Sequence, residues 1–257
     1  MKVTNIAVER YRPAGNASAA GYTAEILVTR VATGDGPEGM GFASAPAGTG
    51  PIVAALIEKV IAPAVVGEDP RLTARLWQRM HEAIPRRGGE GLMRLATSAI
   101  DFALWDIKAK AMGVPVSSLF GDRRERIPTY ANCAHHLPPD ALAERAAADV
   151  AHGHRALKIR GTRTFVTLAE ATERVRQVRA AIGPDVRLMV DVNGSWDVDT
   201  AVQQLKAWEP YDVYWLEEPV PPHDIEGYRR VRARAGRTYI AGGEQHDDRL
   251  AIPRRRR

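Results

Sequence analysis

The sequence is short of the features that would take it out of the ordinary globular class. It has one cysteine, Cys133, in 257 residues. That excludes an intrachain disulfide and any thiolate metal cluster built from this chain, and it agrees with a reducing compartment. No stretch approaches the roughly 18 consecutive apolar residues of a membrane helix, and the opening MKVTNIAVERYRP has no apolar core of signal-peptide length. A cytoplasmic protein with no membrane partner is expected. A glycine-rich phosphate loop of the required spacing is also missing, which argues against a phosphate-binding barrel enzyme. Basic charge is present but localised. Of a formal net charge of +5, four positive charges lie in the arginine run 254–257, so the body is nearly neutral. A terminal run of like charges reads as a solvated tail, and no RNA-binding or helix-turn-helix signature accompanies it, so no nucleic-acid partner is expected.

What is present is 45% hydrophobic and 26% charged residues, a composition that supports a packed core. The first part reads as strands over 3–10 and 24–33 joined by the Gly/Ala/Ser/Asn-rich stretch 15–21, which reads as mobile. Helices are predicted over 51–65, 72–83 and 92–112, the last with Leu92, Leu95, Ala99, Phe102 and 104–107 near one face. From about residue 127 short apolar runs alternate with amphipathic helices, the pattern of βα units in a parallel sheet. Strands at 156–159, 188–191, 213–217 and 239–241 are separated by helices predicted from Thr167 to Ile182, over 198–208 and over 225–235. Thr167 and Glu170 have capping-box spacing.

The polar residues in these units carry the chemistry. Lys158, Asp191, Glu217 and Glu244 each sit at or just past the C-terminal end of an apolar strand, at intervals of 33, 26 and 27 residues. Each interval is close to the roughly 30 residues of one βαβ unit, so all four are expected at the same rim of a parallel barrel, where such folds keep their active sites. Asp191, Glu217 and Glu244 converging there would repel one another unless a cation lay between them. Oxygen ligands without Cys or His favour a hard ion, Mg²⁺ ahead of Mn²⁺ or Ca²⁺. Asn193 is a candidate for supporting the metal ligands or for a turn. His135 and His136, after the first barrel strand, are candidates for substrate contact, with solvent exposure as the alternative, and Gln245 and His246 are weaker ones beside Glu244.

The stretches VDVNGSW (190–196), WLEEP (215–219) and GGEQ (242–245) resemble the three metal-ligand segments of the mandelate racemase branch of the enolase superfamily. ATSAIDFALWDIKAKAMGVPVSSLFG (96–121) is similar to that family's signature helix and the turn before its barrel. The resemblance covers the chain up to about Leu250. It implies an α+β capping domain, here residues 1–126, followed by an α/β TIM-type barrel, here residues 127–257, with Mg²⁺ on carboxylates matching Asp191, Glu217 and Glu244. It implies proton abstraction next to a substrate carboxylate, with Lys158 as the matching base and its pKa lowered by the neighbouring dication. An ammonium that simply pairs with the carboxylates is the alternative reading of Lys158. The commonest family pattern is Lys-x-Lys, whereas here Lys158 is followed by Ile159 and Arg160. Arg160 keeps its proton, so it is expected to clamp a substrate carboxylate or enolate oxygen. The expected function is therefore dehydration of a sugar acid or other hydroxy acid, with a racemase, epimerase or cycloisomerase as the alternative. Stretch 15–21 matches the family's substrate-closing loop.

The segment from residue 127 is roughly half of the ~250 residues of a complete eightfold barrel, and about five strands are visible in it. The ending HDDRLAIP with four arginines has no hydrophobic period. The sequence therefore predicts an incomplete barrel with a premature or frame-shifted end, lacking the later acid–base residues. Such a chain alone is expected to be poorly soluble or oligomeric and weakly active at best, where complete members would be homo-oligomers. A catalytically inactive remnant, or a metal-binding fragment that pairs with a separate remainder, is the competing class of function.

Overall fold

A computed structural model describes residues 1–12, 24–84, 89–133, 137–160 and 167–246. Stretch 15–21, His135, His136 and the arginine run lie outside the described residues. The chain divides into two compact units, Met1–Arg126 and Ile127–Arg257.

In the first unit β1 (Val3–Tyr11), β2 (Glu25–Thr33) and β3 (Gly39–Ala45) form an antiparallel sheet in that order. The third strand was not expected, because GMGFASA reads as a poor strand. Its glycines are explained by the long helix α3 (Leu92–Met112). A Cβ on Gly39 would stand 2.1 Å from the Ala103 carbonyl oxygen, and one on Gly41 would stand 2.0 Å from that of Ala99. The helix backbone lies directly on the strand, and only hydrogen fits between them. The buried stripe of α3 is Ala96, Ala99, Ile100, Ala103, Leu104 and Ile107, at helical spacing. Phe102, predicted on that face, is instead 48% exposed and packs against Phe42 with ring centroids 5.7 Å apart.

The helix predicted over 51–65 is also corrected. It starts as α1 (Gly50–Leu56), widens into a π turn (Ile57–Ile61) and tightens into a 3₁₀ turn (Ala62–Ala64). Pro63 has no N–H to continue a regular ladder, and the changes of winding fall at and just before it. Helix α2 spans Thr73–Glu82.

The second unit is a parallel sheet in the order β4 (Ala131–Asn132), β5 (Ala156–Arg160), β6 (Arg187–Asp191), β7 (Val213–Glu217), β8 (Tyr239–Ala241). Helices α4 (Pro139–Ala151), α5 (Leu168–Ile182), α6 (Val198–Trp208) and α7 (Ile225–Arg232) connect successive strands. Three of them start on side-chain caps. Thr167 Oγ1 accepts from the Glu170 N–H at 3.2 Å, Asp197 Oδ1 from Thr200 at 2.7 Å and Asp224 Oδ1 from Gly227 at 2.8 Å. Helix α7 is three residues shorter than the predicted 225–235.

Strand alternation sends Leu157, Ile159, Leu188, Val190 and Leu216 into one hydrophobic core with the inward helix residues Val175, Val178, Val202 and Leu205. The opposite face carries the polar and aromatic residues. Lys158, Met189, Trp215 and Tyr239 stand in register across β5 to β8, and Arg160, Asp191, Glu217 and Ala241 stand in register one step further on. This alignment depends on one irregularity. Leu188 pairs with Val213 but Met189 pairs with Trp215, so Tyr214 is an extra residue in β7. Without that bulge Asp191 would stand opposite Leu216, and Glu217 would fall out of line with it.

Candidate active site

Asp191 and Glu217 are the last residues of β6 and β7, directly opposite each other. The backbone beyond them stays bonded: the Val192 N–H donates to Glu217 O at 3.1 Å, Gly194 to Glu218 O at 2.7 Å, and Glu218 to Ala241 O at 3.0 Å. Both acids are thus carried on a stiff ladder rather than on free loops.

Lys158 joins them. Its Nζ donates to Glu217 Oε1 at 2.8 Å and lies 3.3 Å from Asp191 Oδ2. The side chain comes from the middle of β5 rather than its end, and the residue is only 6% exposed. Burial works to lower the lysine pKa. The hydrogen bond to Glu217 and the charges of Asp191 and Glu217 outweigh it, and the net shift is upward. As it stands, Lys158 is an ammonium held between two carboxylates, whereas the expected lowering depended on a dication beside it. The same ammonium lies 5.7 Å from the centre of the Tyr130 ring.

The other oxygen of each acid is held by a neutral donor two residues away. Asp191 Oδ1 accepts the backbone N–H of Asn193 at 3.0 Å, and Glu217 Oε2 accepts the indole N–H of Trp215 at 3.1 Å. Asn193 therefore acts through its backbone, in a left-handed conformation at φ 45°.

Glu244 lies in the turn after β8 and is exposed. Among the described residues no group of three or more His, Cys, Asp or Glu side chains is assembled to hold a metal ion. The structure brings Asp191 and Glu217 together through Lys158, and Glu244 does not complete a metal-ready group with them among the described residues. The acidic character of the place is still plain at Glu218, which is fully buried with Oε1 unpartnered among the described residues and φ at 46°. Burial raises its pKa, and the charges of Glu244, Asp191 and Glu217 add to the rise, against a hydrogen bond from Gln245 Nε2 at 3.5 Å. Oxygen donors alone, in negative excess and already converging on a cationic group at Lys158 Nζ, suit a hard divalent cation.

Arg160 ends β5 beside Asp191. Its backbone carbonyl accepts from Arg174 Nε at 3.4 Å, and its own Nε is buried without a partner among the described residues. His246 Nε2 is also buried and unpartnered among them. Trp215, Tyr130 and Glu218 were not singled out from sequence. Trp215 was within reach of that reading, because a residue two before a strand-end acid shares its face.

Comparison with known proteins extends the match to both halves. Residues 1–121 match the mandelate racemase / muconate lactonizing enzyme N-terminal domain, and residues 141–253 match the enolase C-terminal domain-like family. The chain is 34% identical, over 86% of its length, to a 3,6-anhydro-alpha-L-galactonate cycloisomerase of Streptomyces coelicolor. It is 33% identical, over 85% of its length, to an L-talarate/galactarate dehydratase of Salmonella typhimurium. It spans 60% and 54% of the lengths of those two relatives. A solved racemase from Streptomyces coelicolor A3(2) with bound magnesium superimposes with a TM-score of 0.90 at 30% identity, covering 98% of this chain and 73% of that one. No helix among the described residues is long and apolar enough to cross a membrane. The fold is that of the enolase superfamily, an α+β N-terminal domain followed by an α/β barrel domain, and the chain belongs to its mandelate racemase / muconate lactonizing enzyme family.

Proposed function

We propose that this chain carries the proton-transfer site of a Mg²⁺-dependent sugar-acid dehydratase. The observation that carries the reading is the Lys158 ammonium bridging Asp191 Oδ2 and Glu217 Oε1 at the ends of adjacent strands. Asp191 and Glu217, with Glu244 from the neighbouring turn, are the residues to hold the metal, Mn²⁺ being an acceptable substitute. When bound, the ion supplies Lewis-acid stabilisation of the charge that develops on the substrate carboxylate.

The chain's own residues do the rest. Neutralised carboxylates no longer hold Lys158 as an ammonium, and its burial then drives Nζ toward the free amine that can accept a proton. Lys158 Nζ takes the proton from the carbon next to the substrate carboxylate. The electron pair left behind expels the β-hydroxyl, which leaves as water after gaining a proton, and the resulting enol becomes a 2-keto-3-deoxy acid. Arg160, whose buried Nε has no partner among the described residues, grips an oxygen of the substrate carboxylate. A fixed guanidinium suits this role, because it keeps its charge through the reaction.

A second reading is cycloisomerisation, favoured by the 34% identity to the Streptomyces coelicolor cycloisomerase. It begins with the same removal of a proton, and mass spectrometry separates the two, since only dehydration loses water. The shared step is tested by incubating the purified chain with Mg²⁺ and a panel of aldonic and aldaric acids in D₂O and following the α-proton by NMR. Exchange or turnover is expected for at least one acid, falling by about 10²-fold or more in Lys158→Arg, which keeps the charge but not the base. Undiminished exchange in Lys158→Arg would reduce Lys158 to a counter-ion.

A further inference from the structure

Glu217 is held by two donors of different character. Lys158 Nζ is a charged donor on Oε1, and Trp215 Nε1 is a neutral one on Oε2, at 2.8 Å and 3.1 Å. The indole is itself fixed. Its ring meets Tyr130 edge-on at 84° with centroids 5.5 Å apart, and lies 5.7 Å from that of Tyr214. Tyr214 is the bulged residue that sets Glu217 opposite Asp191. A donor with two rotatable bonds, wedged between two aromatic rings, holds one carboxylate oxygen and hence the plane of the whole group. It adds no positive charge that would compete with a cation for that group. On the neighbouring strand the Asn193 N–H does the same for Asp191 Oδ1.

We infer that Trp215 is a positioning residue for the cation site, setting the orientation in which Glu217 offers its carboxylate to a divalent ion. The inference rests on the reading of Asp191 and Glu217 as metal ligands. Groups that orient a ligating carboxylate typically change metal affinity by about 10–100-fold when removed. Trp215→Phe deletes the N–H and keeps a ring for Tyr130 to pack on. A suitable control is Trp208→Phe, which alters a fully buried tryptophan of the same unit that packs against Trp196, away from the carboxylates.

The experiment titrates the full chain and both variants with Mn²⁺, following the free ion by electron paramagnetic resonance, with urea unfolding measured alongside. Trp215→Phe is expected to bind Mn²⁺ at least about tenfold more weakly than wild type, with Trp208→Phe unchanged in affinity even where its stability falls. Equal affinity within about twofold for Trp215→Phe overturns the inference while leaving the metal site standing. Absence of Mn²⁺ binding by wild type overturns the site and the role of Trp215 together. Should Trp215→Phe fail to fold, the indole ¹H–¹⁵N resonance of Trp215 in the wild-type chain, one of five tryptophans, replaces it. A shift on adding Mg²⁺ is expected, and no shift at saturating Mg²⁺ overturns the inference.

Discussion

Substituting Lys158 by Met removes the ammonium from between Asp191 and Glu217 while keeping most of the side-chain volume. At 2.8 Å and 3.3 Å, and an effective dielectric constant of ~20, the two attractions amount to roughly 11 kcal/mol before solvation is counted. Most of that is offset by the cost of burying the ammonium, which the variant no longer bears. What persists is a pair of uncompensated carboxylates facing each other, with Glu218 buried beside them, and breaking such a pair typically costs about 3–5 kcal/mol. We expect a loss of about 3 kcal/mol at pH 7 in EDTA, measured by urea unfolding. The loss should shrink as pH falls, because Glu218, whose pKa is raised by burial and by the carboxylates around it, takes up a proton and relieves part of the repulsion. Mg²⁺ should restore the variant, since an ion at 100 times its Kd contributes about 2.7 kcal/mol. A variant within about 0.5 kcal/mol of wild type in EDTA at pH 7 would refute the idea that Lys158 is the counter-charge holding these acids together.

Two further predictions concern the first unit. Burial pushes the Asp101 carboxyl up to about 6 against an opposing hydrogen bond from Trp105. The folded state therefore holds this proton more tightly than the unfolded chain, and stability is lost as pH rises from roughly 4 through 6. The span has an upper bound near ~3 kcal/mol, which partial exposure to water cuts to about 1–1.5 kcal/mol. Asp101→Asn should recover that amount at pH 7.5 and flatten the pH profile of unfolding between those values. Gly41→Ala would drive a methyl to 2.0 Å from the Ala99 carbonyl, so the backbone of α3 must move; a loss of about 3 kcal/mol or more is expected in urea unfolding.

Legibility from sequence followed how local each cause is. Helix α6 could be read to the residue because Asp197 caps its start and Val202, Leu205 and Trp208 repeat at helical spacing. Strand β7 could be read because an apolar run ends on an acid. The acids at or just past the strand ends, Asp191, Glu217 and Glu244, were visible for the same reason. Strand β3 was hidden because its glycines answer to the backbone of α3, more than fifty residues later, and glycine by itself argues against a strand. The Tyr214 bulge was hidden because nothing in VYWLE signals an extra residue, yet it decides which acid faces Asp191. Glu217 and Glu218 look equivalent in sequence. One takes Lys158 and Trp215 as partners, and the other turns into the interior through a left-handed backbone.

The central claim is that Asp191 and Glu217 frame one divalent-cation site. It is tested most directly by counting and measuring Mn²⁺ bound to the purified chain and to Asp191→Asn and Glu217→Gln. The account predicts one ion per wild-type chain, displaceable by Mg²⁺, and affinity lower by at least about tenfold in each variant. Binding that is absent from wild type, or unchanged when both acids are neutralised, would contradict it.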